Sequence, residues 1–143
     1  MDFSHVGISV SDIDRSIAFY RDMFEMEPLM EIMPFGGESF EAIMDLPGVT
    51  GRICMIGKGT TNLELFEFDG AKAKDPNYPV SDHGISHFGI FVDDIEATYA
   101  KLQAGNVRIH SPIITFMGGG MRAAYCRDPD GNVFEILQPG KPA

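Results

Sequence analysis

Apolar and polar residues alternate along 3–10 and again along 85–92, the period of a strand with one buried face. Each run is followed by an aspartate, Asp12 or Asp94, placed where a helix cap is needed. Apolar residues then recur at helical spacing: Ile13, Ile17 and Tyr20 in the first case, Ile95, Tyr99 and Leu102 in the second. Strands are expected after each helix, at about 28–33, 40–44, 52–56 and 63–68, and then at 107–109, 122–126 and 133–137. Asp128-Pro129-Asp130-Gly131 puts proline and glycine where a tight turn needs them and predicts a hairpin between the last two strands.

The two series are copies. HVGISVSDIDRSIAFY from His5 aligns without gaps on HFGIFVDDIEATYAKL from His87, with seven identities in sixteen positions, where composition alone predicts about one. A module of strand, helix and further strands leaves one sheet face uncovered, and two modules can enclose a cleft. The expected fold is therefore α+β: two tandem βαβββ modules, at 1–68 and 84–143, forming a curved, partly open mixed sheet around a cleft. Residues 69–83, with two prolines and few large apolar side chains, are the expected linker.

Composition narrows the function classes. The 143 residues are 44% hydrophobic and carry a net charge of −10, which would repel a phosphate backbone, so nucleic acid and anionic membranes are poor partners. No apolar run is long enough to span a bilayer, and Met1-Asp2-Phe3 lacks a secretory leader's basic and apolar stretches, so a cytoplasmic protein is expected. Cys54 and Cys126 are far apart and lie among apolar neighbours, as packing residues do.

The candidate chemistry also comes in duplicate. Each copy has a histidine in its first strand and a glutamate in its last: His5 and Glu64, then His87 and Glu135. Apolar residues flank both glutamates, and a desolvated carboxylate needs a cation or several hydrogen-bond donors. Two imidazoles and two carboxylates form an N2O2 set of charge −2 that suits one divalent ion. His83 and His110 have no counterpart in the repeat and are expected at the surface.

The motifs H-x-G-I-x-V-x-D-I, L-E-L-F-E-F and D-P-D-G-N-V-F-E-I-L resemble those of the vicinal oxygen chelate superfamily, which includes glyoxalase I, methylmalonyl-CoA epimerase, extradiol dioxygenases and resistance proteins. The resemblance implies paired βαβββ modules and a divalent metal (Zn, Ni, Co, Mn or Fe) on His5, Glu64, His87 and Glu135. It further implies a lyase, isomerase or epimerase acting through a metal-stabilised enolate on a small substrate with vicinal oxygens, with Glu135 as catalytic base and Glu41 as a second acid–base candidate. A homodimer is expected. An Fe(II)-dependent extradiol-type dioxygenase and a binding protein of the resistance type are the alternatives. Four protein ligands leave two positions in an octahedral shell and so disfavour dioxygen activation.

Bacterial-type glyoxalase I usually holds glutathione with an arginine and an asparagine at the positions occupied here by Ser9 and Phe68, so the resemblance does not extend to that grip. Arg52, Arg122 and Phe68 are the substrate-binding candidates. The first module is the longer, with 59 positions from 5 to 64 against 48 from 87 to 135. Its excess, 35–51, can cover a cleft. The Met and Phe residues around it can form an apolar wall. Gly118-Gly119-Gly120 is expected as a mobile loop.

Overall fold

A computed structural model describes residues 1–140. The chain divides into two compact units, Met1–Lys74 and the residues from Asp75 onward. The first contains β1 (Val6–Ser9), α1 (Ile13–Phe24), β2 (Glu27–Pro28), β3 (Met33–Gly36), α2 (Glu38–Met44), β4 (Thr50–Lys58) and β5 (Thr61–Phe68). The second contains β6 (Phe88–Phe91), α3 (Ile95–Ala104), β7 (Arg108–Ile109), β8 (Ile114–Phe116), a 3₁₀ turn (Met117–Gly119), β9 (Met121–Arg127) and β10 (Val133–Pro139).

The units repeat one topology. In the first, β1 runs parallel to β5, β4 is antiparallel to β5, and both β2 and β3 pair with β4. In the second, β6, β10, β9, β7 and β8 hold the same places. The fold is α+β, in two repeated modules, as the alternating and helical runs require.

Each helix is capped as expected, Asp12 accepting from the Arg15 amide and Asp94 from the Ala97 amide, both at 2.9 Å. Ile13, Ile17, Tyr20 and Phe24 of α1 are buried with Cys54, Ile56, Leu63 and Leu65 of the sheet. In the second unit Ile95 and Leu102 are buried with Ala124, Cys126, Phe134 and Ile136. Both cysteines are thus core residues, and burial pushes the Cys126 thiol up to about 12. Because side chains alternate along a strand, burying Leu63 and Leu65 puts Glu64, Phe66 and Phe68 on the opposite face.

Two expectations are corrected, and two local features are added. Residues 40–44, expected as a strand, belong to helix α2: Phe40, Ile43 and Met44 fit an i, i+3, i+4 stripe, and Asp45 closes the helix at φ 49°. The strand expected at 28–33 is two short strands, because Pro28 and Pro34 cannot donate to a ladder. β8 was not expected, and its three residues are too few to show a period. The triglycine enters a built turn, where Gly118 (φ 62°) and Gly119 (φ 96°) hold left-handed backbone.

The expected turn is present: the Gly131 amide bonds the Asp128 carbonyl at 2.9 Å. Gly131 has φ 84°, and a Cβ there would meet Pro76 backbone atoms at 2.6 Å. Arg127, 5% exposed, donates to the carbonyls of Pro76, Tyr78 and Gly131, and its guanidinium lies 4.8 Å from the Tyr78 ring centre. The later half of the expected linker is therefore fastened to the second unit.

Candidate functional site

His5 and Glu64 are brought together within the first unit, and His87 and Glu135 within the second. The registers Gly7↔Glu64 and Gly89↔Glu135 set each glutamate beside the residue two places after its histidine, on the same face. That residue is glycine both times, and a Cβ on it would stand 3.8 Å or 3.9 Å from the carboxylate oxygen. At Gly89 the place of that Cβ is taken by Leu137, whose Cδ1 would lie 2.7 Å from it, whereas at Gly7 the carboxylate oxygen is the one neighbour within 4 Å.

His5 Nε2 lies 3.2 Å from Glu64 Oε2, and His87 Nε2 lies 3.3 Å from Glu135 Oε2. Two donors bound at about 2.1 Å and at angles between octahedral and tetrahedral stand about 3.0–3.4 Å apart, so either pair can occupy adjacent positions on one ion. The other ring nitrogen is engaged by the preceding serine, Ser4 Oγ to His5 Nδ1 at 2.9 Å and Ser86 Oγ to His87 Nδ1 at 2.8 Å. Such a partner orients the ring and leaves Nε2 to face the carboxylate. Among the described residues, no group of three or more His, Cys, Asp or Glu side chains converges. Each unit supplies a pair.

Sequence reasoning passed over the serines, although Ser4 and Ser86 are a further identity one residue before the aligned segments. It also passed over Tyr125. The register pairs Tyr125 with Glu135, and the tyrosine hydroxyl lies 3.1 Å from His87 Nε2 with the ring centres 4.5 Å apart. Burial, and then the Glu135 charge, raise the Tyr125 pKa and keep the hydroxyl protonated. Met55 stands at the matching place opposite Glu64, so the repeat gave no signal.

The arginines are corrected. Arg52 is paired in register with Glu67, binds it through Nε and Nη2 at 2.9 Å each, and reaches Asp14 at 3.1 Å. Glu67 also accepts from the Ile13 amide at 2.7 Å, so this trio fastens the start of α1. The Arg52 guanidinium holds the Glu67 carboxyl below its usual range. In the second unit Arg122 binds Glu96 and Gln138, and Gln138 accepts from the Ile95 amide. Glu67 and Gln138 each lie three residues beyond a candidate ligand, on the opposite, helix-side face. Neither arginine is on the ligand face.

Glu41 lies half-buried on α2. Phe68 is on the Glu64 face, stacked on Phe66 (centres 5.3 Å apart, planes at 16°). His83 is exposed. His110 accepts from Arg127 Nε at 3.0 Å, and loss of water around its ring, with the Arg127 and Arg108 charges, lowers its pKa.

Comparison with known proteins gives the family and the fold. Residues 2–136 match the family model of the Glyoxalase/Bleomycin resistance protein/Dioxygenase superfamily. The chain belongs to that superfamily. It is 31% identical to lactoylglutathione lyase GLX1 of Arabidopsis thaliana over 96% of this chain and 44% of that protein, so it spans less than half of that relative. It is 30% identical to a 2-epi-5-epi-valiolone epimerase of an Actinomyces species over 93% of this chain and 76% of that one. A glyoxalase family protein of Bacillus cereus shares the fold, with a TM-score of 0.86 at 19% identity, covering 97% of this chain and 94% of that one. Among the described residues of this superfamily member, no helix is long and apolar enough to cross a membrane.

Proposed function

We propose that this chain is a metal-dependent lyase or isomerase acting on a small molecule with two neighbouring oxygens, and that His5, Glu64, His87 and Glu135 hold one divalent ion. The reading rests above all on the duplicated unit of serine, histidine and glutamate, whose spacing suits two ligands of one ion in each copy. The four ligands come together within one chain or from two chains of a homodimer. The lyase and epimerase names of the relatives lend support.

When bound, the ion would act as a Lewis acid toward the substrate oxygens. The remaining tasks fall to the chain. Ser4 and Ser86 orient the imidazoles. Glu135, whose side chain is 13% exposed against 23% for Glu64, sits in the drier of the two pairs and is the general base that takes and returns a substrate proton. The Tyr125 hydroxyl, beside His87, donates a hydrogen bond to the substrate oxygen that gains charge.

The test is metal analysis of protein purified without chelators, followed by incubation of α-hydroxyketones and 2-oxoaldehyde adducts in deuterium oxide. About one equivalent of metal, lost in each ligand variant, with deuterium incorporation at the substrate C–H is the expected result. Metal content unchanged in all four variants would sink the ligand set, and oxygen uptake with catechols in place of exchange would turn the reading to an oxygenase.

A further inference from the structure

The face of β5 that carries Glu64 continues into aromatic side chains. Phe66 and Phe68 follow at two-residue steps, which sets them roughly 7 and 13 Å along the strand from the carboxylate. Phe35, from β3, stands edge-on to both rings, with centres 5.5 Å away and planes at 90° and 84°. Phe40, from α2, backs Phe35 at 5.1 Å. Phe35 is 5% exposed, whereas Phe66 and Phe68 are half-buried. Gly51 makes the arrangement possible: a Cβ there would meet the Phe35 ring at 2.8 Å and the Glu67 carbonyl at 2.1 Å. The cross-strand neighbours of Glu64 are Met55 and Gly7, and those of Phe66 are Ile53 and Ser9. Beyond Glu64 this wall has no charged side chain on the β5 or β4 positions of its face. Its rings are held at fixed angles by one another, as a preorganised binding surface should be.

We propose that this wall binds the organic portion of the substrate, and that this portion is an aromatic ring or a branched alkyl group without a carboxylate. The inference rests on the proposed metal-site reading, since continuity with the His5 and Glu64 pair is what assigns the wall to a substrate. A ligand whose oxygens sit at that pair and whose remainder extends along β5 meets apolar side chains of β5 and β4 for about two residue steps, with the neutral Ser9 of β1 bordering the wall beside Phe66. An anionic group there would be desolvated with no cation on this face of these strands to compensate it.

The test uses two probes that differ in this part alone, 2-hydroxyacetophenone and hydroxyacetone, titrated into the full chain with labelled phenylalanines and followed by NMR, with and without added zinc. The aryl probe is expected to bind at least about tenfold more tightly, with or without zinc, and to shift the Phe66 and Phe68 signals. In Phe68→Ala the preference should fall to about twofold, and in the gentler Phe68→Leu to an intermediate value with the fold preserved. Equal affinity for both probes, or an undiminished preference in both variants, would overturn the proposal. So would Phe66 and Phe68 signals that respond to protein dilution and to neither probe, which would identify a second copy as the occupant. Zinc that tightens neither probe while the preference persists would count against the metal reading alone.

Discussion

The two histidine–glutamate pairs share their geometry to within 0.1 Å but differ in what surrounds them. Glu64 faces Met55 across the ladder and is followed by phenylalanines on its own face; Glu135 faces a tyrosine whose hydroxyl reaches the adjacent histidine. The side chains that would face a metal, and the serines that orient them, are common to both units, whereas the neighbours have diverged. The first unit is apolar beside its glutamate, whereas the second places a tyrosine hydroxyl beside its histidine. A duplicated site can in this way divide binding from chemistry without disturbing the shared ligands.

The largest effect should come from the ligands of the second unit. Glu135→Gln and His87→Ala are expected to lower turnover by at least about a thousandfold and to release the metal, as read by steady-state kinetics and elemental analysis. Tyr125→Phe comes next: removing one hydrogen-bond donor should lower kcat by about 10²-fold while metal content holds, whereas Met55→Leu in the matching place should change kcat less than about threefold. An equal loss in both would erase the asymmetry.

The helix-side trios should separate from the site altogether. Glu67→Ala and Gln138→Ala each remove an acceptor from a helix start and should cost about 1 kcal/mol in urea unfolding, with no metal lost. Loss of metal in either would mean that the two sheet faces are coupled.

The smallest effect is one of pH, and it belongs to the second unit only. His110 has a folded pKa below its unfolded value of about 6.5, so the folded state binds fewer protons, and stability is present above that value and declines as pH falls below it. A protonated ring can no longer accept from Arg127 Nε. The urea midpoint should therefore fall more between pH 7.5 and 5.5 in the native chain than in His110→Gln. Identical slopes would remove His110 from the account.

Much of this was legible along the chain because it was written twice. The strand and helix of each copy, the aspartate caps and the four ligand candidates all lie at repeated positions with a clear period. What escaped depends on facing and register. Arg52 and Arg122 read as substrate ligands because alternation does not say which face meets a helix; the hydrogen bonds to Glu67 and Gln138 decide it. Tyr125 is ten residues from Glu135 and becomes its neighbour only through the β9–β10 ladder. At the place of helix α2 the second unit has only the three-residue 3₁₀ turn Met117–Gly119, so the repeat could not correct the reading of 40–44 as a strand.

The Arg127 contacts bear on how such a chain can be cut. Because Pro76 and Tyr78 supply two of the acceptors of a buried guanidinium, a gene for the second half alone should start at Asp75 and not at residue 84, where the first recognisable copy begins. A circular permutant opened between Gly70 and Lys74 would keep those carbonyls on the arginine. A fragment begun at residue 84 would leave a buried guanidinium without two of its carbonyl partners.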